Sequence, residues 1–215
     1  MLPIMFTIVM LAALALLYLG TGRDKRLLIV SVLWATAIGL LARAGFFEAV
    51  QATPPHMLLA VPPPVILLIW YSIKIPAVRI QPGWLLAVHT LRLPVELILY
   101  QLYLQKKVPV IMTFKGWNFD ILVGLSAILL LLAGITRRKR RSVAIVFRAW
   151  NIAGLVFLAI IVSIAVLSAP LPLQRLAFDQ PNVALLSFPY TWLPAVVVPA
   201  VLLAHLLCLK KSTVA

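Results

Sequence analysis

The stretch HTLRLPVELILY, residues 89–100, sets His89, Arg92 and Glu96 beside Pro94 in a chain otherwise made largely of Leu, Val, Ile and Ala. On a helix these positions, i, i+3 and i+7, form one stripe, continued by Tyr100 and Tyr103. An imidazole, a guanidinium and a carboxylate together can hold a charged ligand or relay a proton. Further polar residues stand in later apolar runs: Arg148 and Asn151 in RAWNIAGL, and His205 in VLLAHLLCLKK.

The elements that must position these groups are membrane helices. The chain has 215 residues, 64% hydrophobic and 11% charged, with a mean hydropathy of +1.10. Soluble domains carry about 25% charged residues, so a soluble fold is excluded. The apolar runs are continuous rather than alternating, which excludes a membrane β-barrel. The expectation is an all-α bundle forming a single domain, 1–215, with seven spans near 3–20, 27–43, 54–73, 84–105, 119–135, 143–169 and 192–209.

The formal net charge of +14 belongs to topology rather than to nucleic acid, because most Lys and Arg sit in short connectors. The connectors TGRDKR, KIPAVRIQPG and TRRKRRS and the tail KKSTVA hold twelve of the nineteen basic residues and fall on one side. The positive-inside rule puts that side in the cytoplasm and the N-terminus outside. Positive charge follows the first apolar run instead of preceding it, which reads as a retained helix rather than a signal peptide. In TPPHMLLAVPPPVILLIW the third span carries Pro62, Pro63 and Pro64, so a kink or break is expected there.

A charge at the bilayer centre costs at least ~2.5–3.5 kcal/mol, so the stripe should face the bundle interior. His89 lies five residues from Trp84, Arg148 five residues into the sixth span, and His205 five residues before Lys210. Each is then about 7–8 Å below the cytoplasmic boundary. His89, Arg92, Glu96, Arg148, Asn151 and His205 thus form an expected buried polar layer on spans four, six and seven. Its two arginines against one carboxylate suit binding or transport of a small polar or anionic molecule. The layer serves equally as interhelical glue that fixes register. A third reading makes His89 and His205 axial ligands of a haem or part of a metal site, although no metal-ligand spacing accompanies them.

A second polar set, Asn118, Asp120, Asp179 and Asn182, stands toward the other side. With Glu48 and His56 it has the donor types of a divalent-cation site; helix capping and turn formation explain the same residues. No Gly-rich phosphate loop, Ser-x-x-Lys motif or hydrolase elbow is present. Cys208 is the only cysteine, so an intramolecular disulfide is excluded, and it reads as a small packing residue.

Through HTLRLPVELILY, MTFKGWNFDILVGLSA, WNIAGL and AVLSAPLPLQRLAFDQPNVALLSFPYTWLPAVVVPAVLLAHL, residues 85–209 resemble a family of small, uncharacterised bacterial integral membrane proteins. The resemblance implies a multi-pass protein of the bacterial inner membrane and no particular activity.

Overall fold

Backbone N–H and C=O groups find no water in hydrocarbon, so long apolar segments must satisfy them internally as helices. The computed structural model describes residues 1–137 and 140–214; it is all-α, with no strand among the described residues. The helices are α1 (Leu2–Gly20), α2 (Lys25–Arg43), α3 (Met57–Ala60), α4 (Pro62–Lys74), α5 (Pro82–Thr90), α6 (Arg92–Leu104), α7 (Asp120–Leu132), α8 (Arg141–Leu167) and α9 (Val198–Val214). A π-helical turn, Leu193–Val197, leads into α9. Six segments are long and apolar enough to cross a membrane: Leu2–Gly20, Lys25–Arg43, Met57–Lys74, Pro82–Leu104, Arg141–Leu167 and Leu193–Ser212. The fifth expected span is the shorter apolar helix α7. Its 13 residues reach only about 20 Å, less than the ~30 Å of a hydrocarbon core.

Helix α9 is the hub of the bundle and packs against α8, α5, α4 and α1. Its Ala200, Leu203, Ala204, Leu207 and Cys208 are buried, which gives Cys208 the packing role its type suggests.

The prolines break helices where the chain can absorb them. Pro62, Pro63 and Pro64 occupy the first turn of α4, where N–H groups have no intrahelical partner. Their rings would collide with carbonyls of a preceding turn, and the third span accordingly breaks at Val61. The fourth span breaks at Leu91, four residues after Ala87 and just ahead of Pro94. In the last span Pro199 deprives the Ala195 carbonyl of its helical donor, and the Trp34 indole N–H of α2 supplies one at 3.1 Å. Trp192 returns the contact by donating to the Ala35 carbonyl of α2 at 2.8 Å. That second contact requires Gly39, whose added Cβ would meet the Trp192 ring at 2.9 Å.

The basic connectors meet at one end. Gln81 N–H donates to the Gly20 carbonyl at 2.9 Å. Lys210 Nζ donates to the carbonyls of Ser72, Ile73 and Ile75 at 2.8–2.9 Å, and Lys211 Nζ to Ala77 at 3.0 Å. These ammonium groups neutralise the carbonyl end of α4. Asp24 caps α2, accepting from the Arg26 and Leu27 amides, and also accepts from the Tyr71 hydroxyl at 2.9 Å. Burial works to raise its pKa, but the Leu27 amide, the Tyr71 hydroxyl and the Arg26 amide outweigh it and hold the carboxyl below its ordinary 3.8.

Replacing Asp24 by Ala should therefore cost about 1 kcal/mol of stability, read as a lower midpoint of thermal unfolding in mild detergent, while Asn keeps most of the cap. Because the folded pKa is depressed, this contribution is present above pH 3.8 and is lost as pH falls through the lower folded value. The difference between wild type and Asp24→Ala should hence be constant near neutrality and shrink only in acid.

Candidate functional site

The site begins with a backbone excursion. Between α6 and α7 the chain turns back into the bundle through hydrogen-bonded turns: Met112 N–H to Pro109, Thr113 N–H to Val110, Gly116 N–H to Thr113 and Trp117 N–H to Ile111. Non-helical backbone at membrane depth is tolerated when protein buries it, and Met112, Thr113 and Asn118 are buried. Gly116 is needed because a Cβ there would lie 2.5 Å from the Val110 carbonyl oxygen. Asn118 ties the excursion together. Its Nδ2 donates to the Met112 carbonyl at 3.0 Å and to Glu96 Oε1, and its Oδ1 accepts the Asp120 amide at 3.1 Å. Helix α7 therefore starts deep in the bundle and is short.

That start brings Asp120 to Arg92, whose Nη1 donates to Oδ1 at 2.6 Å. Arg92 is 3% exposed and turns its other terminal nitrogen to His205 Nε2 at 3.1 Å and to the Gly154 carbonyl at 3.4 Å. A guanidinium only donates, so His205 accepts at Nε2 and carries its proton on Nδ1. Nδ1–H then donates to Asn151 Oδ1 at 3.0 Å, and Asn151 Nδ2 donates to the Phe147 carbonyl at 2.8 Å. One directed chain of hydrogen bonds thus joins α7, α6, α9 and α8. Gly154 makes room for it, since an added Cβ would stand 2.4 Å from His205 Cε1 and 2.6 Å from Nε2.

His89, from α5, lies against the far side of His205. The rings stack with centroids 3.9 Å apart and planes 27° apart, and Trp150 meets the His89 ring edge-on at 5.3 Å. Among the described residues neither His89 nitrogen has a hydrogen-bond partner, although the residue is fully buried. Stacked face to face, the two imidazoles leave no gap for a macrocycle between them, and ligating one iron axially would require them to separate.

Of the residues singled out in sequence, the structure brings together His89, Arg92, Glu96, Asn151 and His205, and adds Asn118 and Asp120 from the second set. Four others stand apart. Arg148 is exposed, beside the exposed Ile145, Val146 and Ile152 on the outer face of α8, and takes no part in the buried layer. Asp179 is exposed in the connector ahead of the last span, and Glu48 is exposed as well. His56 Nδ1–H donates to the Phe46 carbonyl at 2.7 Å, and the ring stacks on the Phe46 ring. The second set therefore splits: Asn118, Asp120 and Asn182 line one cavity, and Asp179, Glu48 and His56 are not among its lining residues. With Arg148 removed and Asp120 added, the buried cluster holds one guanidinium against two carboxyl groups, the reverse of the balance expected from the sequence.

Glu96 and Asp120 also form part of the wall of a cavity of about 270 Å³. Met57, Leu58 and Val61 at the start of the third span form one side, and Ile161, Val162 and Ala165 of α8 the other. Leu193, Pro194 and Val198 line it between them, and Asn118 and Asn182 are the remaining polar lining residues. The cavity had no signature in the sequence beyond the proline-broken third span.

Arg92→Gln should leave Asp120 buried without its cation and cost ~3–5 kcal/mol, whereas Arg148→Gln should change stability by less than ~0.5 kcal/mol. Gly154→Ala, which forces the His205 ring to move, should cost ~1–3 kcal/mol. Thermal unfolding of the three purified variants ranks them, and equal losses for Arg92→Gln and Arg148→Gln would refute the placement of both arginines.

No curated protein and no solved structure matches the chain. The family model described as Domain of unknown function (DUF8737) matches residues 54–211, which takes in every residue of the buried cluster and the cavity, and the chain belongs to that family.

Proposed function

We propose that this membrane protein is a binding protein for a small, largely apolar molecule held in the cavity between the third span and α8. The observation that carries this reading is a cavity of about 270 Å³, near the lower end of ligand pockets at ~300–1,000 Å³, whose wall is apolar except around Glu96, Asn118, Asp120 and Asn182. Leu58 and Val166, both on that wall, are 48% and 43% exposed on the lipid-facing surface. A molecule dissolved in the bilayer therefore reaches the cavity laterally, without crossing water. The anionic ligand suggested by the sequence has less support, because Asp120 already pairs with Arg92 and Arg148 faces outward.

Saturable photolabelling with a small apolar probe, adamantyl diazirine, should map to residues 57–62 and 161–166 and be competed by excess adamantane. Val162→Trp, which fills the cavity, should abolish it. Labelling spread evenly over lipid-facing positions, unchanged by Val162→Trp, would sink the proposal.

The location that accompanies this reading is the bacterial inner membrane, with the basic end in the cytoplasm and the N-terminus outside. Twelve of the nineteen basic residues support it. A fluorescent protein that matures only in the cytoplasm should fluoresce when fused after Ala215 and stay dark when fused before Met1; the opposite pattern would invert the orientation.

A further inference from the structure

Two residues on the cavity wall carry buried polar atoms that lack a full hydrogen-bond partner. Glu96 and Asn182 both line the cavity and are 1% and 2% exposed. Asn118 occupies Glu96 Oε1, and Asn182 Nδ2 donates to the Ala165 carbonyl at 3.2 Å. Among the described residues, Glu96 Oε2 and Asn182 Oδ1 then remain buried without a full hydrogen-bond partner, with the Phe114 amide also acting on the Glu96 carboxyl. Asn182 Oδ1 is an acceptor, and Glu96 Oε2 becomes one when a cation holds the carboxyl ionised, so a ligand that completes both must bring donors and positive charge.

Charge narrows the choice. The charged groups that act on Glu96 are Asp120 and Arg92, and Arg92 is engaged by Asp120. The lysines of the neighbouring connector, Lys106, Lys107 and Lys115, are exposed at the surface. A second carboxyl group beside an already matched ion pair calls for a cation, and an ammonium offers three donors and no acceptor. An alcohol offers one donor, and a carboxylate adds like charge.

We infer that the cavity binds a cationic amphiphile, an alkyl or compact apolar body carrying an amine, with the ammonium held at Glu96 and Asn182 beneath the Arg92–Asp120 pair. This rests on the cavity reading above and adds the head group to it.

The test measures how dodecylamine, dodecanol and dodecanoate compete with adamantyl diazirine labelling of the full chain in nanodiscs of zwitterionic lipid. Dodecylamine should compete at roughly tenfold lower concentration than dodecanol, the scale of one hydrogen bond to a charged group, and dodecanoate should be the weakest. Glu96→Gln should bring dodecylamine to the level of dodecanol. Wild type and Glu96→Gln share the same bilayer, so differences in partitioning cancel, and labelling without competitor verifies that the variant's cavity is intact. Equal competition by amine and alcohol, or an amine advantage that survives Glu96→Gln, overturns the cationic head group and leaves the cavity standing. Failure of all three amphiphiles to displace the label overturns the cavity reading as well. Repeating the labelling with phosphatidylethanolamine in the nanodisc separates the sources: lost labelling assigns an aminophospholipid head, retained labelling a free amine.

Discussion

A guanidinium buried in the middle of a helical bundle cannot accept a hydrogen bond, cannot shed its proton and cannot reach water. Arg92 imposes that constraint on everything around it. Its charge demands a carboxylate at the same depth, and the chain delivers Asp120 there by burying Met112, Thr113 and Asn118 ahead of α7, while Lys106, Lys107 and Lys115 stay at the surface. Its second terminal nitrogen must find an acceptor, and His205 serves only as the Nδ1–H tautomer, which fixes the orientation of Asn151 in turn. The ring reaches that position because residue 154 is glycine. Three features distant in sequence, a re-entrant connector, a short helix and a glycine, are consequences of one buried cation.

Much of this layer was legible in the sequence because depth and helical period are properties of spacing. His89, Arg92 and Glu96 share a stripe, and counting residues from the ends of the apolar runs places Asn151 and His205 near the same level. The same counting misplaced Arg148, since depth says nothing of direction around the helix. The discriminating signal was the stripe Phe147, Asn151, Gly154, Leu158, Ile161, which α8 buries; Arg148 lies one residue, about 100°, off it. Asp120 was assigned to the outer set for the opposite reason. Its position in the sequence is that of a helix start at the membrane surface, and only tertiary contacts show that this start is sunk into the bundle.

The prolines illustrate how far local chemistry carries. Each predicts a freed carbonyl four residues earlier, but the group that satisfies it is a tertiary matter. For Pro199 it is Trp34, from a helix 161 residues away in sequence from the acceptor Ala195. The reciprocal Trp192 contact to Ala35 then locks α2 to the last span at two points. Three consecutive prolines at 62–64 read as a disruption in the middle of a span. In the fold they start a helix, and the break they cause at Val61 sets off the short α3 segment, whose Met57 and Leu58 line the cavity.

That cavity changes the meaning of the charged residues. Two arginines facing one carboxylate would favour an anion. One arginine facing two carboxyl groups, with a compact neutral imidazole accepting from it, is internally matched on the Asp120 side and deficient in donors on the Glu96 side. In a medium without water such a deficiency is not relieved by solvent. Asn118 satisfies one oxygen of Glu96, and Glu96 also lines the apolar cavity. Two buried atoms without a full partner, Glu96 Oε2 and Asn182 Oδ1, belong to residues that line the apolar cavity, so the polar layer borders that space.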